Sequence, residues 1–282
     1  MPPPQHPWPE APERPAATAD EVHVWRVSLD QDGAALGELS ALLAEDELQR
    51  AGRFHFRKDH DRFVAARGAL RDILGRYTGL APRLLRFVYE ERGKPALSPE
   101  TCDRPLRFNL AHSHGLALCA VTLGRAVGVD LELVQEEFAG MEIAERFFAP
   151  REVAALRALA PGERATAFFD CWTRKEAYIK ARGEGLSHPL HSFAVSLAPG
   201  EPAALLCTDD DPAEAASWSL LALSPGGPYR AALAVEGAPP STRCWNWNAL
   251  CLSAPRLPPA QVSQRLICSR VRFPPQMMVA TS

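Results

Sequence analysis

The sequence predicts an α+β fold, and three observations carry the prediction. Segments starting at Val22 (VHVWRVSL), Phe108 (FNLAHSHGLALCAVTL), Ala126 (AVGVDLELV) and Tyr229 (YRAALAV) read as strands, alone or as strand–turn–strand. Residues 59–77 and 164–182 place apolar side chains at helical spacing. The halves also echo each other: each has a long helix starting around a phenylalanine, Phe63 or Phe169. Each ends in a strand–turn–strand with a second strand rich in small residues, LALCAV and AALAV. A duplicated α+β unit accounts for this echo, and so does chance.

The elements follow in order. Residues 40–50 read as a helix with Ser40 as a cap. The helix over 59–77 presents Phe63, Ala66, Leu70, Ile73, Leu74 and Tyr77. Residues 85–90 suggest a strand, closed by a turn at Arg92-Gly93-Lys94-Pro95. Pro150 suits the first turn of a helix that Pro161-Gly162 should stop, and Gly183 suits the end of the helix over 164–182. FAVSL, WSLLAL and YRAALAV complete the strands.

A chain of 282 residues buries a core without disulfide or metal staples. Apolar residues at 46% and charged residues at 23% exclude wholesale disorder, collagen and coiled coil. A net charge of −3 gives no global field for nucleic acid or membrane. No apolar run is long enough to span a bilayer, and the N-terminus shows no secretory apolar region. The seven cysteines are scattered, with no CxxC pair, as expected of incidental thiols in a reducing cytoplasm. Prolines crowd the start, so residues 1–21 read as a disordered tail, followed by subdomains over 22–123 and 124–240. Residues 241–282, with five Arg and no acid, read as a basic appendage of unknown structure.

Charge is segregated. Residues 50–94 hold twelve Lys/Arg against five Asp/Glu, and residues 129–152 hold seven Asp/Glu against two Arg. Solvated helix faces explain this, and so does a phosphate site beside a metal site. On the strand Gly128–Leu133, alternation puts Asp130 and Glu132 on one face, about 7 Å apart, where they could share a hard cation or merely face water. Trp172, Glu176 and Lys180 share one helix stripe, where Glu before Lys is the favourable order even for a surface pair. His112 in FNLAHSH suits phosphate, metal or catalysis, or a structural role, and zinc lacks a third ligand. The turn around Lys94 suggests an ammonium and free amides offered to a phosphate or a base. No Walker, dinucleotide, nucleophile-elbow or zincin motif is present.

Taken in succession, GKP, FNLAHS, GVDLEL, RFFAPREVAAL and FFDCWTRKEAYIKARGEGLSHPL resemble the Sfp-type phosphopantetheinyl transferases over roughly residues 22–235. The resemblance implies two similar α+β subdomains related by a pseudo-twofold axis, with the active site in the cleft between them. It implies transfer of phosphopantetheine from coenzyme A to a serine of an apo acyl- or peptidyl-carrier protein, releasing adenosine bisphosphate. Carried over by motif, Asp130, Glu132 and Glu176 would bind Mg²⁺, or Mn²⁺, with the coenzyme A pyrophosphate. Glu176 would deprotonate the carrier serine and Lys180 would assist the leaving phosphate. Arg50, Lys94 and His112 would reach the 3′-phosphate, Lys175 another phosphate, and the backbone at Arg92 and Gly93 the adenine. Trp172 would plug the core.

Two departures stand out: Ala111 replaces a frequent serine, and Glu47 a frequent lysine. The resemblance also implies a cytoplasmic monomer that binds neither nucleic acid nor membrane. The competing readings are a Mg²⁺-dependent nucleotide or pyrophosphate hydrolase and a non-enzymatic binding protein.

Overall fold

The computed structural model describes residues 8–249 except 184, 186, 187, 210 and 212. The first half runs β1 (Glu21–Ser28), α1 (Gly33–Ser40), α2 (Glu45–Ala51), α3 (Arg57–Thr78), β2 (Phe87–Tyr89), β3 (Pro95–Leu97), β4 (Leu106–Ser113) and β5 (Leu116–Leu123). The second runs β6 (Val127–Leu133), α4 (Met141–Phe147), α5 (Pro150–Ala158), α6 (Pro161–Arg182), β7 (Phe193–Val195), β8 (Leu205–Thr208), β9 (Trp218–Leu223) and β10 (Tyr229–Glu236). A final strand, β11 (Ser241–Asn246), follows. The two halves repeat one order of elements. They repeat one sheet order as well: β1-β5-β4 and β6-β10-β9, each antiparallel, each with its own two-stranded ribbon, β2-β3 or β7-β8.

Strand alternation turns this repeat into layers. On β1, Val22 and Val24 join Leu118 and Ala120 of β5 in an apolar core that also holds Val127, Val129 and Leu131 of β6. The two sheets therefore pack on each other. The opposite faces pack on helices: Trp25 and Val27 meet the α3 residues Leu70, Ile73 and Leu74, while Ala232 and Ala234 meet Ala177 and Ile179 of α6.

Several elements differ from expectation, each for a local reason. The helix expected over 40–50 is two helices. Asp32 caps α1 by accepting from the Ala35 amide, and Ser40 ends that helix. Glu47 accepts from the Ala44 amide and starts α2. Pro161 stands in the first turn of α6, where its missing N–H costs nothing, so the residue read as a stop is a start. Gly183 ends α6 in the left-handed conformation, φ 73°.

The stretch after residue 240 is not wholly an appendage. β11 pairs in parallel with β1, from Glu21–Ser241 to Arg26–Asn246, and Trp247 and Ala249 are buried. Glu10 forms a bridge to Asn246, so part of the stretch read as a tail is also placed. Residues 250–282 lie outside the described residues. Among those described, no helix is long and apolar enough to cross a membrane.

Candidate active site

The site begins with an absent side chain. A Cβ on Gly128 would stand 2.0 Å from the Ala177 carbonyl oxygen and 2.4 Å from the Ala181 amide nitrogen. Only glycine lets α6 lie this close to β6. Gly128, Asp130 and Glu132 share the strand face opposite Val129 and Leu131, whose side chains fill the core between the sheets. Residues one turn apart on α6, Glu176 and Lys180, complete the group.

Lys180 Nζ donates to Asp130 Oδ1 at 2.5 Å. Asp130 is 3% exposed, and its other oxygen, Oδ2, is buried without a hydrogen-bond partner. Burial pushes the Asp130 carboxyl up to about 7; Lys180 opposes this, while Glu132 and Glu176 add to it. Glu176 is raised too, first by burial and then by Glu132, against Lys180. Burial works against the Lys180 ammonium, but Asp130, Glu176 and Glu132 outweigh it and hold its pKa above the ordinary lysine value. The three carboxylates thus lie within electrostatic reach of one another, with the Lys180 ammonium among them.

Two further residues, present in the sequence motifs but given no role there, hold the neighbouring strand. Asn109 Oδ1 accepts from the Val129 amide at 2.8 Å. Ser113 Oγ donates to Glu132 Oε2 at 2.7 Å and accepts from the Leu133 amide at 3.3 Å. The pairs 109–129 and 113–133 show β4 running parallel to β6, joined by side chains across the seam between the sheets. Beside Ser113, desolvation first and the Lys180 charge second hold the His112 imidazole below the usual histidine range.

Comparison with known proteins decides what this arrangement belongs to. Residues 126–234 match the 4′-phosphopantetheinyl transferase superfamily model, and residues 29–123 match the 4′-phosphopantetheinyl transferase N-terminal model. The chain is 43% identical over 243 residues to HetI, a 4′-phosphopantetheinyl transferase of Nostoc sp., covering 86% of this chain and 99% of the relative. The chain belongs to the 4′-phosphopantetheinyl transferase superfamily. The transferase Sfp of Bacillus subtilis is 32% identical over 157 residues, 56% of this chain and 67% of that one. Among solved structures, the holo-[acyl-carrier-protein] synthase of Thermotoga maritima matches at TM-score 0.30 and 22% identity, over 40% of this chain and 62% of that one; the assignment does not rest on it.

Within this transferase, the structure gathers Asp130, Glu132, Glu176, Lys180 and His112 in one neighbourhood. It does not bring Lys175 there. That side chain is wholly buried. Its ammonium donates to the carbonyls of Leu190 at 2.8 Å and Phe193 at 2.6 Å, and pairs with Glu152 at 2.8 Å. A phosphate contact from Lys175 is therefore set aside. The signal was in the sequence: Cys171, Tyr178 and Ile179, neighbours of Lys175 along the helix face, are apolar and buried.

Lys94 also differs from the expected exposed ammonium. The turn itself is there, with Gly93 at φ 83° and its amide donating to the Glu90 carbonyl, so that amide is not free. The Lys94 ammonium turns inward and donates to the carbonyls of Val127 at 3.1 Å, Lys180 at 2.6 Å and Ala181 at 3.2 Å. It caps the open end of α6, where a cation is favoured. Burial draws its pKa down to about 8. Arg92 and Gly93 remain on the exposed turn. A cavity of about 220 Å³ opens beside Lys94, Pro95, Phe108 and Arg182.

Arg50 is exposed, its guanidinium over the Phe63 ring at 5.5 Å. Glu47, at the frequent lysine position, is buried and paired with Arg67 and Arg71, both at 2.5 Å, so it leaves no clamp there. Ala111 is buried between the sheets. Trp172 stacks on Phe168 at 6.1 Å between ring centres.

The carboxylates fit a hard divalent cation on two grounds, the unpartnered Asp130 Oδ2 and the all-oxygen donor set. Among the described residues, no three side chains form a ready-made metal cage.

Proposed function

We propose that this enzyme transfers the 4′-phosphopantetheine of coenzyme A to a serine hydroxyl of an apo acyl- or peptidyl-carrier protein, using Mg²⁺ held by Asp130, Glu132 and Glu176. The observation that carries the reading is the unpartnered Asp130 oxygen among three mutually repelling carboxylates, with Lys180 beside it. The cation would neutralise charge on the pyrophosphate.

The chain's own groups do the rest. The serine oxygen forms a bond to the β-phosphorus, and the bond to the bridging oxygen of adenosine 3′,5′-bisphosphate breaks. Glu176, its pKa raised by burial, accepts the serine proton. Lys180 stays charged and donates to the departing phosphate. His112 and Arg50 bind the 3′-phosphate, and the recess lined by Lys94, Pro95 and Phe108, which the turn at Arg92 and Gly93 adjoins in sequence, takes the adenine.

We place the site in the seam between two halves related by a pseudo-twofold axis. The repeated element and sheet order supports this. The arginine-rich stretch 50–94 steers an acidic carrier, so association weakens with salt. The free thiols at Cys102, Cys119, Cys171, Cys207 and Cys244 suit a reducing compartment, and the reading includes a cytoplasmic monomer.

The test is the intact mass of an apo carrier after incubation with enzyme, coenzyme A and Mg²⁺. A gain of one phosphopantetheine, lost without metal, is expected. Cleavage of coenzyme A with no gain on several carriers would instead make this a hydrolase.

A further inference from the structure

We infer that Ser113, His114 and Gln135 form a positioning relay that sets the Glu132 carboxylate for the cation, a role that rests on the function proposed above. The hydrogen bonds run in one direction. Ser113 Oγ donates to Glu132 Oε2 at 2.7 Å, so the serine oxygen is left to accept. It accepts from the Leu133 amide at 3.3 Å and from His114 Nδ1 at 3.2 Å. That fixes the proton of a neutral His114 on Nδ1, and His114 Nε2 accepts from the Gln135 amide nitrogen at 2.9 Å. The donor and acceptor assignments are then mutually consistent from Gln135 to Glu132.

The relay joins two strand ends. Ser113 ends β4 and is buried, Glu132 lies on β6, and Gln135 lies just beyond β6. His114 connects them at a backbone cost. Among the described residues it alone is a non-glycine at positive φ, 54°. The two-residue hairpin turn His114-Gly115, between the paired Ser113 and Leu116, requires that positive φ at its first position. Here its imidazole reaches both neighbours at once. Oxygen ligands of a cation are themselves held by hydrogen bonds, and loss of such a partner typically lowers metal affinity or activity about 10–100-fold.

The experiment separates this role from a structural one. Mn²⁺ binding to the enzyme–coenzyme A complex is followed by the electron paramagnetic resonance of free Mn²⁺, and transfer is assayed across metal concentration. Ser113→Ala should weaken Mn²⁺ binding about tenfold and raise the half-activating metal concentration to match, with kcat largely restored at saturating metal. Ser113→Thr, which keeps the hydroxyl, should restore the affinity. His114→Gly accepts the same backbone but lacks the imidazole, so it should show a smaller rise, about threefold. Circular dichroism checks that the variants fold. If wild type binds Mn²⁺ and Ser113→Ala binds it equally well, the relay is wrong and the proposed function stands. If wild type neither binds Mn²⁺ nor transfers, both fall.

Discussion

The two halves use the same helix positions for opposite ends. Counted back from the left-handed caps Gly79 and Gly183, Arg71 matches Lys175, Asp72 matches Glu176, and Arg76 matches Lys180. The first pair is the same device twice. Arg71 bonds Glu47 and the carbonyls of Pro82 and Leu85; Lys175 bonds Glu152 and the carbonyls of Leu190 and Phe193. Both glutamates also accept the amide that opens their own short helix. The other pairs diverge. Asp72 and Arg76 close on each other at 2.9 Å, Trp247 donates to Asp72 at 2.9 Å, and Arg76 lies over Trp25. Lys180 instead donates to Asp130 on the neighbouring strand, and Glu176 lies within electrostatic reach of both. The strand alongside decides which. β1 is sealed by a backbone ladder to β11, whereas among the described residues β6 meets β4 through side chains, Asn109 and Ser113 bonding to it and Ala111 packing in one core with Val129 and Leu131. One acid–base spacing becomes packing where the edge is closed and a candidate reaction site where it is open.

Substitution at matched positions tests this contrast. Asp130→Ala should lower transfer at least about a thousandfold with the fold retained. Asp72→Ala should lose about 3–5 kcal/mol of stability, read by urea denaturation, while folded enzyme keeps its kcat within about twofold. Equal kinetic damage from both would break the distinction between the halves.

Gly128→Ala comes next, because the new methyl meets backbone rather than a flexible side chain. We expect transfer to fall about a hundredfold as α6 is pushed from β6, since misplacing reacting groups by about 1 Å costs that much. Lys175→Ala should destabilise by about 3–5 kcal/mol, as loss of half a buried pair does, with KM for coenzyme A unchanged. A large rise in that KM would return Lys175 to the phosphate site.

The acid–base behaviour of Asp130 gives a smaller effect. Its folded pKa is raised from 3.8 to about 7. Over that window the folded protein holds a proton the unfolded chain has released. Its contribution to stability is therefore present at low pH and lost as pH rises through about 7. The metal-free enzyme should show this decline between about pH 4 and about pH 7, and Asp130→Asn should flatten it. The smallest change should come from Arg50→Ala. KM for coenzyme A should rise about threefold, a loss of under 1 kcal/mol for an exposed charge, and KM for dephospho-coenzyme A should not move.

The sequence made local features legible and long-range closures illegible. Helical and strand periods located α3, α6 and the β4–β5 and β9–β10 hairpins, because amphipathic spacing is written in neighbouring residues. The GVDLEL alternation placed Asp130 and Glu132 together, and the four-residue spacing placed Glu176 with Lys180. What the periodicities could not show was partnership across the chain. Lys94 looked free because nothing near it in sequence reveals that the open carbonyls of α6 lie beside it. Ser113 looked like one more small polar residue until β6 arrived next to it. Proline and basic content made the stretch after 240 look like an appendage, although STRCWN alternates and completes the first sheet.

That last strand carries a consequence for how the molecule is made. β1 leaves the ribosome long before its parallel partner, for Glu21 lies beside Ser241. Trp8 and Glu10 close against Ser224 and Asn246 in the same late step. Until then one edge of β1 is a bare template for any strand that passes. The second half can assemble around α6 with contacts local to itself, while the first waits with that edge unguarded, and sequence-distant pairing of this kind is the slow part of folding. Synthesis stalled before residue 241 should therefore leave a chain with a nearly finished second half and an aggregation-prone first, detectable as protease resistance confined to residues beyond 126.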